Sequence, residues 1–94
     1  MSGNEELTEK MTIVNVRGMH ARAAQVLVRA VLPFKSEVYL HFNDEHANAK
    51  SIMGLLTLCA PLWSRITVSC KGSDAHETMD AVRTLIANRF NEEE

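Results

Sequence analysis

Two short segments alternate apolar and polar residues without a break, and they limit what this chain can fold into. Val38, Leu40 and Phe42 fall on one side of the stretch Glu37–Phe42, with Glu37, Tyr39 and His41 on the other. Arg65–Lys71 repeats the pattern, with Ile66, Val68 and Cys70 opposed to Thr67, Ser69 and Lys71. Successive side chains of a strand point to opposite faces, so each segment reads as a strand buried on one side only. Strands of that kind build an antiparallel sheet with one face on a core and the other in water. Helices must cover the apolar face, which places the chain in the α+β class.

The rest of the sequence supplies those helices and the missing strands. Residues 1–8 are polar and acidic and are expected to be a flexible lead-in. Met11–Val16 is rich in β-branched residues and predicts a strand, ended by Gly18. Ala24, Leu27, Val28 and Val31 recur at helical spacing, which predicts a helix over His20–Leu32 stopped by Pro33. Asn43 and Asp44 form a turn, after which Glu45–Lys50 returns as a short strand. Ser51 suits the N-cap of a helix over Ile52–Leu58, with Pro61 just beyond it. After Gly72, Asp74 and Glu77 have the spacing of a capping box. Met79, Val82, Ile86 and Phe90 then mark the buried stripe of a last helix. The predicted order is β-α-β-β-α-β-α, a four-stranded antiparallel sheet with three helices on one face, in a single domain over residues 1–94.

Composition excludes several classes. A chain of 94 residues with net charge −2 lacks the basic excess of a dedicated nucleic-acid binder. No apolar run approaches the ~20 residues of a membrane span, and no signal peptide opens the chain, so a cytoplasmic location is expected. The two cysteines, Cys59 and Cys70, read as small buried hydrophobes with free thiols. His41 and His46 flank Asp44 and Glu45, but they do not form a four-ligand set, and solvent-facing side chains account for them better than a metal. His76, in the first turn of the last helix, is expected to be exposed. Tyr39 on an open sheet face is weak grounds for base stacking. No cofactor or metal is expected.

The chemistry concentrates in Gly18-Met19-His20-Ala21-Arg22-Ala23-Ala24. A histidine falls where an extended segment stops and a helix starts, with an arginine two residues later. A helix N-terminus carries unpaired N–H groups and partial positive charge, so it receives anions. A histidine placed there can act as a nucleophile and find the phosphate it acquires already stabilised. The helix end and Arg22 both oppose an imidazolium, which favours the neutral nucleophilic ring.

Here the sequence resembles a known family, the histidine-containing phosphocarrier proteins (HPr) of the bacterial phosphotransferase system. Two stretches carry the resemblance: Gly18 through Val28, and Lys50-Ser51-Ile52-Met53-Gly54-Leu55-Leu56-Thr57-Leu58. His20 and Ser51 are 31 positions apart, the spacing the family keeps, and the element order is that of the family's open-faced β-sandwich. The similarity runs from about Met11 to Phe90. It implies a phosphoryl-transfer intermediate rather than an enzyme with its own turnover. Phosphate would pass from phosphoenolpyruvate through enzyme I to His20 Nδ1, and then to IIA proteins. The resemblance further implies that Arg22 stabilises the phosphate. It makes Ala21, Ile52, Met53 and Leu56 the partner-binding patch, and Ser51 a regulatory site for an ATP-dependent HPr kinase. Two departures stand out. Ala23 replaces the usual proline, and Pro61-Leu62-Trp63-Ser64 replaces a loop that is commonly rich in Gly and Ala.

Plainer readings accompany these. Ser51 can be an N-cap and nothing more. Arg22 can be a solvated first-turn residue. Trp63 can tune partner choice or cover the edge of the core. The alternative function is an HPr-like regulatory interaction protein that acts through its phosphorylation state rather than through sugar transport. A third is an unrelated small binding module on the same fold. A carrier that meets several partners in turn is expected to be a monomer.

Overall fold

A computed structural model describes residues 5–94. The strands are β1 (Glu6–Thr12), β2 (Glu37–Phe42), β3 (Glu45–Asn48) and β4 (Arg65–Lys71). The helices are α1 (Ala21–Val31), α2 (Ile52–Leu58) and α3 (Ala75–Ala87), followed by a short 3₁₀ turn at Arg89–Asn91. The sheet order is β1-β4-β2-β3 and every pairing is antiparallel. The two alternating segments occupy the centre of the sheet: Val38 lies opposite Cys70 and Leu40 opposite Val68. Val38, Leu40, Ile66, Val68 and Cys70 on their apolar sides are buried and Phe42 is partly so, whereas Glu37, His41 and Lys71 face solvent. α3 packs over β1 and β4, α2 over β3 and β2, and α1 lies against both helices. Ile13, Leu27, Leu40, Leu55, Ile66, Ile86 and Phe90 form the centre of the core. Each contributes ~1.5–3 kcal/mol by leaving water.

Four expectations are corrected. The first strand begins at Glu6, not Met11, so residues 6–8 of the expected lead-in are paired: Glu6 opposes Lys71 and Thr8 opposes Ser69. The part of that lead-in at residues 1–4 lies outside the described residues. Glu9 hid the strand, because it interrupts the apolar alternation of Leu7 and Met11. Arg83 of α3 resolves that charge by donating from Nε and Nη2 to the two Glu9 oxygens, at 2.8 and 2.7 Å. The second correction concerns Ile13–Val16, which continues irregularly after the strand. There Ile13 N–H donates to Ser64 O and Trp63 N–H donates to Ile13 O.

The third correction is the capping box, which does not form. Asp74 sits at the N-cap of α3, but its carboxylate does not cap the helix. It accepts instead from the backbone N–H groups of Lys35 and Ser36 at 2.8 and 2.9 Å, and from the Ser36 hydroxyl. The start of β2 is thereby tied to the start of α3. The fourth concerns Cys59, which is exposed. It closes α2 in the left-handed region at φ 51°, while Cys70 is buried as expected. Burial pushes the Cys70 thiol up to about 11.

The Ser36 hydroxyl, then the Lys35 and Ser36 amides and the Thr78 hydroxyl, hold the Asp74 carboxyl down at about 2. An unfolded aspartate titrates near ~3.9. The carboxylate therefore adds stability above about pH 4, and that contribution is lost as pH falls toward 2. Asp74→Asn should have a lower urea midpoint than the parent chain at neutral pH, with the gap closing near pH 2. A gap that stayed constant over that range would mean that the carboxylate charge is not what ties β2 to α3.

Candidate functional site

The site begins with the loop that leads into α1. Gly18 N–H donates to Asn15 O at 3.0 Å, which closes a tight turn. Gly18 has φ +67°, and a Cβ there would lie 2.4 Å from Ala60 O and 2.8 Å from Pro61 Cα. Only glycine combines that backbone with that approach. The next residue, Met19, is buried, and its N–H donates to Ala60 O at 2.8 Å. The loop is thus seated on the segment after α2 before His20 is reached. His20 has extended backbone (φ −98°, ψ −177°) and is the N-cap of α1 rather than its first residue.

The ring of His20 performs the capping. Its Nδ1 accepts from Arg22 N–H at 3.2 Å. A backbone N–H can only donate, so Nδ1 carries its lone pair and faces the open end of the helix. On the far side, Nε2 lies 2.6 Å from Glu92 Oε2. A carboxylate only accepts, so the ring proton is on Nε2. The two contacts together select one tautomer. The His20 side chain is 23% exposed, so the ring is reachable from solvent. Ala21 and Arg22 are exposed, and Ala23 and Ala24 turn into the core. No acidic residue occupies the first turn of α1 to offset its positive end. Arg17, which the sequence reading did not single out, joins Arg22 on the wall of an open cleft. Val16, His20 and the tail Asn91–Glu94 complete that wall.

The tail reaches the cleft through an unusual turn. Phe90 was expected on the stripe of the last helix; it is buried, but α3 has already ended at Ala87. Arg89, Phe90 and Asn91 have φ values of 58°, 52° and 65°. Left-handed backbone costs a non-glycine residue roughly 1–2 kcal/mol. Burial of the Phe90 ring offsets much of this for the segment. The reversal sends Glu92 back to His20, with its side chain only 13% exposed. Glu92 Oε1 accepts from Asn15 Nδ2 at 3.1 Å. Asn15 is fully buried and donates also to Gly18 O at 2.8 Å. Glu94 O accepts from Val16 N–H at 2.7 Å, which pins the tail beside the loop. Neither Asn15 nor Glu92 was legible as a site residue. Asn15 falls inside the predicted strand Met11–Val16, and Glu92 is one of three consecutive glutamates.

The remaining predicted residues gather at the start of α2. Ser51 is its N-cap, and its hydroxyl accepts from Gly54 N–H at 3.0 Å. Met53 is 76% exposed and Ile52 37%, while Leu56 is half-buried against the core. Leu55 and Leu58 face inward. The helix therefore presents an apolar edge beside its cap, and α1 packs against it. Trp63 is 68% exposed with φ 74°, so it does not cover the edge of the core. His41 and His46 face each other across β2 and β3 on the open side of the sheet, and His76 is exposed and meets Glu5 at 2.9 Å.

Comparison with known proteins assigns the family. The family model described as "PTS HPr component phosphorylation site" matches residues 7–88. The chain belongs to the HPr family of phosphotransferase-system phosphocarriers. It is 43% identical to the phosphocarrier protein HPr of Cupriavidus necator over 88 residues, covering 94% of this chain and 99% of that protein. It is 36% identical to the phosphocarrier protein NPr of Shewanella violacea over 87 residues, covering 93% and 96%. Among solved structures, HPr from Thermoanaerobacter tengcongensis superposes with a TM-score of 0.86 at 33% identity, covering 96% of this chain and 99% of that one. The HPr fold is the one expected from sequence: four antiparallel strands and three helices in β-α-β-β-α-β-α order. No helix among the described residues is long and apolar enough to cross a membrane.

The cap at Ser51 carries a stability prediction. Ser51→Ala leaves the Gly54 N–H without its partner and should cost about 1 kcal/mol. Urea unfolding monitored by circular dichroism measures it. An unchanged midpoint would show that the first turn of α2 is held by packing alone.

Proposed function

We propose that this HPr-family chain carries a phosphoryl group on Nδ1 of His20, received from enzyme I and delivered to IIA proteins. The observation that carries the reading is the His20 tautomer: the proton is held on Nε2 by Glu92, and the Nδ1 lone pair faces the α1 N-terminus. In transfer, the lone pair forms the Nδ1–P bond while the bond from phosphorus to the donor breaks, its electron pair leaving with the donor. The Arg22 N–H that held Nδ1 is then free to meet a phosphoryl oxygen. The positive helix end and the guanidinium groups of Arg22 and Arg17 stabilise the dianion. An exposed ring suits a group that must be handed on rather than hydrolysed inside a closed site. This reading places the protein in the cytoplasm as a monomer.

The apolar edge of α2 is the proposed docking surface, formed by Ile52, Met53 and Leu56 together with Ala21 of α1. Exposed Met and Ile side chains beside one another mark a contact surface rather than a core. Modification of Ser51 by an HPr kinase would place about two negative charges at the rim of that surface. Docking would then weaken without any change at His20.

Incubation with phosphoenolpyruvate and purified enzyme I should give an acid-labile phosphohistidine signal by ³¹P NMR. His20→Ala should abolish it while leaving the circular dichroism spectrum intact. A signal of equal size in the variant would refute the assignment. Ser51→Asp should weaken enzyme I binding about tenfold, the effect of ~1.4 kcal/mol. Titration calorimetry at fixed salt tests this, and equal affinities would remove α2 from the docking surface.

A further inference from the structure

Glu92 and Asn15 have no role in the capping of α1 or in the sheet, yet the chain bends through three left-handed residues to bring Glu92 to the ring. The contact is specific at both oxygens. Oε2 meets His20 Nε2 and Oε1 accepts from Asn15 Nδ2, so both must act as acceptors. Asn15 is itself immobile: it is fully buried, and its amide also donates to Gly18 O in the loop that seats His20. One rigid side chain therefore indexes the carboxylate to the same loop that positions the imidazole. Of the common side chains, only a carboxylate of this length satisfies both donors, because glutamine offers a single acceptor oxygen.

We propose that Glu92, oriented by Asn15, is a positioning residue for phosphoryl transfer: it locks His20 in the Nε2–H tautomer and balances the positive charge the ring gains as Nδ1 binds phosphorus. The proposal rests on the carrier reading above. The charge accounting is direct. Neutral imidazole donates the Nδ1 lone pair to phosphorus and keeps its Nε2 proton, so the ring becomes cationic as the bond forms. Glu92 Oε2, already on Nε2, meets that charge without moving. On onward transfer the Nδ1–P bond breaks, its electron pair returns to Nδ1, and the ring is neutral again with the same proton in place. The arrangement is that of a carboxylate behind a catalytic histidine, where the carboxylate sets tautomer and orientation and stabilises the imidazolium. Here it is supplied by a segment 72 residues away in sequence.

The test uses the full chain with ¹⁵N-labelled histidine, and Glu92→Gln beside Glu92→Ala. Long-range ¹H–¹⁵N spectra, recorded well above the titration range of the ring, report the His20 tautomer without any phosphotransfer. Rapid-quench mixing with phosphorylated enzyme I reports the transfer rate. The parent chain should show the Nε2–H form alone. Both variants should show a mixture containing the Nδ1–H form and transfer about tenfold more slowly, the low end of what losing an outer partner of an imidazole costs. Glu92→Gln keeps the size of the side chain and the Phe90 anchor. A tail that acts only as a structural strap would therefore leave its tautomer and rate at parent values, and that result would overturn the proposal. A shifted tautomer with an unchanged rate would overturn it as well. A parent chain that shows the Glu92-dependent tautomer but takes no phosphate would overturn the carrier reading and uphold the orienting contact.

Discussion

The approach of Gly18 to Ala60 and Pro61 is the constraint on which the site depends. A loop leaving an edge strand would ordinarily be free to choose where it enters the next helix. Here the left-handed Gly18 lets the backbone close to a distance no Cβ allows, and the Met19 N–H fastens it to Ala60 O. Burial of Met19 adds an apolar anchor on the same step. The position of His20 is thus set by backbone contacts to a different part of the chain, not by α1 alone. That matters because α1, which packs against both other helices, opens with N–H groups that no carbonyl of the helix pairs. Its first turn would be the part most prone to fray without the loop beneath it.

The histidine cap links this scaffold to chemistry. An N-cap accepts from an N–H of the first turn, a role that serine, threonine and asparagine fill without further consequence. When imidazole fills it, capping requires an unprotonated Nδ1, so this weak bond at the helix end and the Glu92 contact at Nε2 favour the same form of the ring. The 3.2 Å distance marks a weak bond, which an incoming phosphorus can displace at small cost. Ser51 fills the same structural role at α2 with a 3.0 Å bond and an ordinary hydroxyl.

Much of this was legible in the sequence, and the failures have physical causes. The bounds of β2, α2 and β4 follow from alternation and from Ser51, because those elements are buried on one side and start at a side-chain cap. β1 was misplaced because an edge strand carries charge: Glu9 breaks its apolar pattern, and Arg83, 74 residues away, is what makes that tolerable. Asp74 and Glu77 had the spacing of a capping box, but Lys35 and Ser36 offer Asp74 better donors than its own helix does. The helix start at His20 and Arg22 was legible because helix starts leave a local signature. Glu92 and Asn15 were missed because their pairing is made by folding, and no local pattern distinguishes Glu92 from Glu93 or Glu94.

The charges around His20 oppose one another by design of the fold. The α1 end stands on the Nδ1 side, and Arg17 and Arg22 line the same cleft, all favouring an anion there. The carboxylate stands on the Nε2 side and favours a cation on the ring. A phosphorylated imidazolium is both at once, an anion on Nδ1 and a cation across the ring, so the two fields that conflict for the bare side chain become additive for the loaded one. Neither field is enclosed, because the cleft is open and the ring is partly exposed. Screening by water keeps each contribution modest. A carrier that stabilised its cargo strongly could not pass it on, and under the proposed function an open site with divided charge would hold the phosphoryl group without trapping it.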